Sequence, residues 1–393
     1  MGEPFARIAA ACAAIVVSVA LAACGSSSSS TQSKTIPLGA VFSLTGPGGV
    51  YGPQQKNAVE LAVEQINAKG GVDGKKLSIT VLDDGSDKQQ SAQVTQRLIQ
   101  QNGVVALLGP TLSNSAVAAH PIADRLHTPM LAVSTTGLHI VGSCPYPCTY
   151  IFRDSLGEAS AIPANIETYA AAAHPKTAVL LYPNDDKFSV DGAKIVEETA
   201  PRYGIKLLGV IQFTKAEADL SPFVSQAVSK RPDVIFITSL GAIPSTIMID
   251  ARQQGFKGKF LGGNGFNTAA VAKAAGAAGT GAQSASAYYL GNTFPSNAQF
   301  VSAYEQRYGV PPDQFAAQAY SGVLILANAL ERAGSSSDLA NERDAVRAAL
   351  ETTSIETPLG PFRFTSTHDV SQTIWIIAEN GAGGFRLVKS VKP

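Results

Sequence analysis

The chain has 393 residues, 45% of them hydrophobic and 15% charged, a balance that supports a sizeable buried core and excludes a disordered polyelectrolyte. Lys plus Arg and Asp plus Glu are both 30, giving a formal net charge of zero, so no overall basicity points to nucleic acid and no acidic tail to a basic partner. The length fits two domains or one large one.

An apolar run from Ile8 to Ala23 follows Arg7 and closes in Leu21-Ala22-Ala23-Cys24, ahead of Gly25 and Ser26 to Ser30. A membrane span takes about 20 apolar residues, and small residues before a cysteine resemble the lipobox of bacterial lipoprotein signals. Residues 1–23 are therefore expected to be a signal peptide, Cys24 the lipidated first residue of the mature chain, and residues 24–35 a Ser-rich flexible tether. A plain signal peptide and an uncleaved anchor helix are the alternatives. The mature protein is expected to be extracytoplasmic and lipid-anchored to the cell membrane. Cys12 leaves with the signal, so an internal bridge is open to Cys144 and Cys148 alone. Pro145 and Pro147 keep that segment out of a helix, and in an oxidising compartment a disulfide is expected over free thiols.

From Ile36 onward strand and helix patterns alternate. Ala58, Leu61, Ala62 and Ile66 fall at helical spacing and stop at Gly70-Gly71, which suits a left-handed C-terminal cap. Leu77, Ile79 and Val81 alternate with polar residues and break at Asp83-Asp84-Gly85, as a strand running into a turn should. Val94, Leu98 and Ile99 mark a second helix, Val104 to Leu108 a buried strand and Met130 to Val133 the next. After Arg153 the pattern restarts: strand Ala178 to Tyr182, helix Val190 to Thr199, strand Ile205 to Phe213, helix Phe223 to Ser229, strand Val234 to Ile237, helix Ile247 to Gln254 and strand Phe260 to Leu261. Two consecutive α/β units predict two lobes, each a parallel sheet covered by helices. Ligands of such sheets bind beyond the carboxyl ends of the strands, so the expected site is a cleft between the lobes, built from short loops.

Enzymatic signatures are absent from the sequence. There is no G-x-S-x-G elbow, H-E-x-x-H helix or G-x-x-x-x-G-K-[ST] phosphate loop. Gly262-Gly263-Asn264-Gly265 lacks the third spaced glycine of a dinucleotide fingerprint and reads as a tight turn. His120, His127, His139, His174 and His368 are scattered, and two cysteines make half a structural zinc site. No enzyme activity, cofactor or metal is expected.

Several segments carry a resemblance to a known family. They are Ile36 to Pro47 followed by Tyr51-Gly52, the run Ala62 to Gly74 with Asn67 to Gly71 at its centre, Leu82-Asp83-Asp84, Ala319-Tyr320 and Leu359 to Phe362. Over nearly the whole mature chain they resemble the periplasmic leucine/isoleucine/valine-binding proteins, the substrate-binding receptors of ABC transporters. The resemblance implies a type I periplasmic-binding fold, two doubly wound parallel-sheet lobes joined by three hinge crossovers, placed near residues 153–157, 284–288 and 364–368. Lobe 1 is then 36–153 plus 288–364, and lobe 2 is 154–287 plus 365–393.

The same resemblance implies site residues. Ser113, Ser134 and Thr136, on loops after first-lobe strands, would hold a ligand carboxylate, with backbone N–H groups and a helix N-terminus assisting. Because Ser and Thr are also good helix caps, a purely structural role competes with this one. Tyr51 would be an aromatic lid, Phe188 its second-lobe counterpart, and Leu240 stands where branched-chain receptors carry a tyrosine. The family pairs the ligand ammonium with a second-lobe acid, and the matching position here is Asn264. That departure widens the expected ligand from an amino acid to an amide or organic acid. The implied partners are the ligand, ABC permease subunits and, through the N-terminal lipid, the membrane, with the receptor itself monomeric. A sensory lipoprotein signalling to a membrane partner is the alternative function.

Overall fold

The computed structural model describes residues 35–392. The signal segment, Cys24 and all but the last residue of the tether lie outside the described residues.

The first sheet is built by β1 (Thr35–Phe42), β2 (Lys76–Asp83), β3 (Ala106–Leu108), β4 (Met130–Ala132) and β5 (Ile151–Arg153), all parallel, in the order β2-β1-β3-β4-β5. Helices α1 (Gly52–Ala68), α2 (Lys88–Gln100) and α3 (Ser113–Arg125) make the crossovers. Covered on both sides, β3 and β4 are wholly apolar and buried, while the edge strand β2 is polar on alternate positions and half exposed. Helix α1 stops where the sequence predicts: Gly70 and Gly71 take positive φ, and the Gly71 N–H donates to Ile66 O at 3.0 Å.

The chain then leaves this sheet. Helices α4 (Glu158–Ala173), α5 (Lys187–Thr199), α6 (Ser221–Ser229), α7 (Ile243–Gln253) and α8 (Ala269–Ala275) alternate with β6 (Thr177–Pro183), β7 (Lys206–Phe213), β8 (Val234–Ile237), β9 (Lys259–Gly262) and β10 (Gln283–Ser286). These strands form the parallel part of a second sheet. After β10 the chain returns, and α9 (Pro295–Tyr308), α10 (Gln314–Ala333), α11 (Leu339–Glu351) and the hairpin β11 (Ser354–Thr357) and β12 (Gly360–Arg363) follow. Ala316, Val323, Leu326 and Leu330 of α10 share one apolar core with Leu38, Phe42, Ala58, Leu61 and Leu108. A third crossing sends β13 (Ile374–Glu379) and β14 (Phe385–Val391) antiparallel onto the far edge of the second sheet, whose order is β14-β13-β10-β9-β8-β6-β7. The second core, around Val179, Ile211, Ile235, Ile237 and Phe260, is separate from the first.

The fold is thus two α/β lobes with three chain crossings between them. The predicted strands and helices from Ala58 to Leu261 are present with ends shifted by a few residues, the main trimming being the buried strand read from Val104, which begins at Ala106. Two crossings are tied together at one point. Arg153, at the end of β5, donates from its N–H to His368 O at 3.0 Å and from Nε to Asp369 Oδ1 at 2.9 Å, with a second guanidinium contact to Asp369 Oδ2.

Candidate binding site between the lobes

The first-lobe side of the cleft is a set of loops at the carboxyl ends of β1, β3 and β4. Asp83 and Asp84, read as a turn, organise it: Asp83 Oδ1 accepts from the N–H groups of Leu44 at 2.9 Å and Gly85 at 2.8 Å, and Asp84 Oδ1 accepts from the Ser43 hydroxyl at 2.7 Å. Behind these loops lies a closed network that the sequence does not reveal. Thr111 Oγ1 accepts from the Ser43 N–H at 2.9 Å and donates to Gln55 Oε1 at 2.6 Å; Gln55 Nε2 donates to Ser134 Oγ at 2.9 Å; the Ser134 hydroxyl donates to Thr111 O at 2.8 Å. Ser134 therefore has its donor and one acceptor lone pair engaged inside the lobe.

Ser113 and Thr136 stand differently. Ser113 opens α3, is buried, and accepts the Gly137 N–H at 3.2 Å, which brings the two hydroxyl-bearing loops together. Thr136 is buried, and its hydroxyl donates across to Glu158 Oε1 at 3.3 Å. Beneath this loop Arg153 Nη1 donates to the carbonyl of Gly137 at 3.3 Å. The guanidinium thus couples the Thr135–Gly137 turn to the hinge residue Asp369.

Tyr51 reaches over the cleft. It is fully buried, packs at 4.5 Å between ring centroids on Phe315, and joins Leu112 and Leu240 in a small apolar group. Its hydroxyl accepts the Gly241 N–H at 2.9 Å and donates to Gly265 O at 3.2 Å, so a first-lobe side chain is hydrogen-bonded to two second-lobe loops. Burial pushes its phenol well above the usual range, so it stays protonated. Phe188 is buried on α5, outside the apolar group around Tyr51.

On the second-lobe side, Asn264 is buried in the tight turn after β9. Its side-chain oxygen accepts from Gln314 Nε2 of α10, and its N–H donates to Glu158 Oε1 at 2.7 Å. The acceptor expected to face the ligand at this position is therefore already engaged, and the charged acceptor beside it is Glu158. Burial raises the Glu158 carboxyl to about 7, against the lowering effect of the Asn264 N–H, the Thr136 hydroxyl and the Arg153 charge.

The lobes also meet at the cleft mouth. Asn114 of α3 donates to Asp186 Oδ1 at 2.8 Å and accepts the Lys187 N–H at 2.8 Å, at the start of α5. The Leu138 N–H donates to Asp191 Oδ2 at 2.8 Å. Asn114, Gln55, Glu158 and Gln314 were not singled out from the sequence. Glu158 carried one signal, an acid opening the otherwise largely apolar helix α4. Cys144 and Cys148 are joined as a disulfide against the apolar group that includes Ala116, Ala123 and Met130. Among the described residues no group of three or more His, Cys, Asp or Glu side chains could hold a metal ion.

Two lobes with a lined cleft, joined by three crossings, define a hinged ligand trap. The periplasmic binding protein family model matches residues 35–383, and this chain belongs to that family of solute-binding proteins. A relative from Pseudomonas aeruginosa, the leucine-, isoleucine-, valine-, threonine-, and alanine-binding protein, is 27% identical over 365 residues, covering 92% of this chain and 94% of the relative. Among solved structures, the branched-chain amino acid transporter substrate binding protein LivJ from Streptococcus pneumoniae, in complex with isoleucine, superposes with a TM-score of 0.82 at 25% identity, covering 91% of this chain and all of that one (100%). A Rhodopseudomonas palustris ABC-transporter solute binding protein in complex with 3,4-dihydroxy benzoic acid superposes with a TM-score of 0.80 at 23% identity, over 91% of this chain and 98% of that one, a likeness of fold.

Proposed function

We propose that this chain is the extracytoplasmic, lipid-anchored receptor of an ABC importer, closing its two lobes on an amino acid or a related small carboxylate or amide and presenting the closed form to a permease. Lobe 1 comprises 36–153 plus 288–364 and lobe 2 comprises 154–287 plus 365–393, with Cys24 carrying the lipid. The observation that carries the reading is the meeting of the two loops at Ser113 and Gly137, beneath Tyr51, whose hydroxyl engages Gly241 and Gly265 across the cleft. Ser113, Thr136 and nearby N–H groups at the start of α3 hold the ligand's anionic end, where the helix dipole favours negative charge. Ser134 braces that wall. Phe188 and Leu240, with Asn264, shape the pocket from the second lobe. The amino-acid-binding relatives support the importer role and the ligand class.

Closure follows from differential affinity, since a ligand touching both lobes is held fully only in the shut form. A thermal-shift screen of the purified protein against amino acids, their deaminated analogues, amides and aromatic acids tests the reading. A ligand at 100 times its Kd adds about 2.7 kcal/mol to stability. The expected result is stabilisation by at least one of these classes; a flat response to all of them rejects it.

A further inference from the structure

The structure places a carboxylate in the cleft where the sequence pattern left an amide. Glu158 is the first residue of α4, immediately after the first crossing between lobes. Its N–H donates to Thr136 O at 2.8 Å, and its Oε1 accepts from both the Asn264 N–H at 2.7 Å and the Thr136 hydroxyl at 3.3 Å. One carboxylate oxygen is therefore pinned between a first-lobe loop and a second-lobe loop. The side chain cannot swing away without breaking contacts on both.

The other oxygen has no partner. Glu158 is 0% exposed, and no hydrogen-bond donor reaches Oε2. Such an oxygen costs on the order of 1–3 kcal/mol, and more when charged, unless something supplies a donor. Its neighbour on that side is Gly263, where an added Cβ would stand 2.7 Å from Oε2, so no side chain of that residue fills the space. The nearby cation does not serve it either: Arg153 is paired with Asp369 and donates to the carbonyls of Thr135 at 3.5 Å and Gly137 at 3.3 Å. Asn264, whose side-chain oxygen takes the Gln314 amide, offers no alternative anion.

We propose that Glu158 is the specificity-determining residue of this cleft, the group that receives a ligand ammonium, so that the receptor selects an α-amino acid over the same molecule without its amine. The proposal rests on the reading of the cleft as a small-carboxylate site. An α-amino acid carries its carboxylate and its ammonium on neighbouring carbons, and the cleft offers two neighbouring poles: Ser113, which accepts the Gly137 N–H, and Glu158, whose Oε1 accepts the Thr136 hydroxyl. An ammonium has three donors. It would satisfy Oε2 and restore charge balance to a carboxylate that burial otherwise disfavours. A neutral or purely anionic ligand would leave Oε2 without a partner.

Isothermal titration calorimetry on the full-length protein tests this with matched pairs: leucine against 4-methylpentanoate, and phenylalanine against 3-phenylpropanoate. The wild-type protein is expected to bind at least one amino acid roughly 30-fold or more tightly than its deaminated partner, the size expected for an unpaired buried charge. Glu158→Gln, which keeps shape and removes charge, is expected to erase that preference while changing affinity for the deaminated partner less than about threefold. A merely structural role for Glu158 would lower both members of a pair alike, which overturns the proposal. So does a Glu158→Gln protein that still prefers the amino acid. If Glu158→Gln does not fold, the wild-type ratio decides alone: equal affinity, or preference for the deaminated acid, rejects Glu158 as the ammonium partner and leaves the receptor reading standing. Binding of none of the pairs, nor of any other compound in the thermal-shift panel, removes both.

Discussion

The two walls of the cleft solve different problems. The first-lobe wall rests on an internal network of neutral groups: Gln55, Thr111, Ser134 and Ser43 are joined by hydrogen bonds in which hydroxyls and amides satisfy one another, and Ser113 and Thr136 are set on that base. The second-lobe wall carries a buried acid with one oxygen lacking a donor, beside an asparagine already engaged by Gln314. A wall braced by its own hydrogen bonds holds its shape in the absence of ligand, and a buried acid oxygen without a donor gains most when ligand arrives. On the proposed reading, rigidity and charge recognition fall to opposite lobes.

The comparison breaks most visibly if the anchoring hydroxyls are removed. Ser113→Ala with Thr136→Ala removes the two hydroxyls proposed to hold the ligand's anionic end. At roughly 1.5–3 kcal/mol for each such bond, affinity for every carboxylate ligand should fall by about 100-fold or more. The protein should still fold, with a modest drop in melting temperature from the lost Ser113–Gly137 and Thr136–Glu158 hydrogen bonds, because the Gln55–Thr111–Ser134 network is untouched. Calorimetry and a thermal melt on the same preparation check both halves, and retained affinity would show that the first wall does not anchor the ligand.

A smaller effect is expected at the cleft mouth. Asn114 exchanges two hydrogen bonds with the start of α5, at Asp186 and at the Lys187 N–H, and neither requires ligand. These contacts favour the shut form by about 1 kcal/mol per bond, and closure they stabilise is closure the ligand need not drive. Losing both bonds, about 2 kcal/mol, Asn114→Ala should weaken binding by up to about 30-fold, for amino acids and deaminated acids equally. It should also enlarge the ligand-free radius of gyration in small-angle scattering. A change confined to one ligand class would mean that Asn114 reads the ligand and is not a latch.

The two walls were also unequally legible in the sequence. Alternation at Leu77, Ile79 and Val81, the glycines closing α1, and the run Val234 to Ile237 expose the strand and helix order because each is a local pattern. Ser113 and Thr136 stand on short loops after strands, where this fold class places a site, but it is the family resemblance that singles them out from ordinary helix caps. Glu158 has no such mark. An acid in the first turn of a helix is ordinarily a solvated residue favoured by the dipole. Its burial comes from loops 22 and 106 residues away in sequence, at Thr136 and Asn264. The same holds for Gln314, 50 residues beyond the asparagine it engages. Local pattern carries secondary structure and the loops at strand ends; the chemistry of the second wall arises where distant segments converge.

The contrast sharpens with a second buried acid in the same lobe. Glu379, at the end of β13, is 1% exposed, and neither carboxyl oxygen has a hydrogen-bond partner. Burial pushes its carboxyl up to about 8 from an ordinary 4.5. Unlike Glu158, it lies in β13, which pairs with β10 and β14, and its backbone bonds go to Gly281 and Ala282. Below pH 4.5 the folded and unfolded chains both hold this proton, and Glu379 does not affect stability through ionisation. As pH rises toward 8 the unfolded chain loses the proton while the folded chain keeps it, so stability is lost progressively, by up to ~5 kcal/mol, and the loss then levels off. Glu379→Gln stays neutral throughout. Its melting temperature should match wild type near pH 4.5 and exceed it by a widening margin toward pH 8, with ligand affinity unchanged. A stability difference that does not vary with pH would show that Glu379 is already ionised and partnered in the folded chain. Wild-type affinity together with the predicted pH dependence would separate a buried acid that only costs stability from one placed where a ligand can offset the cost.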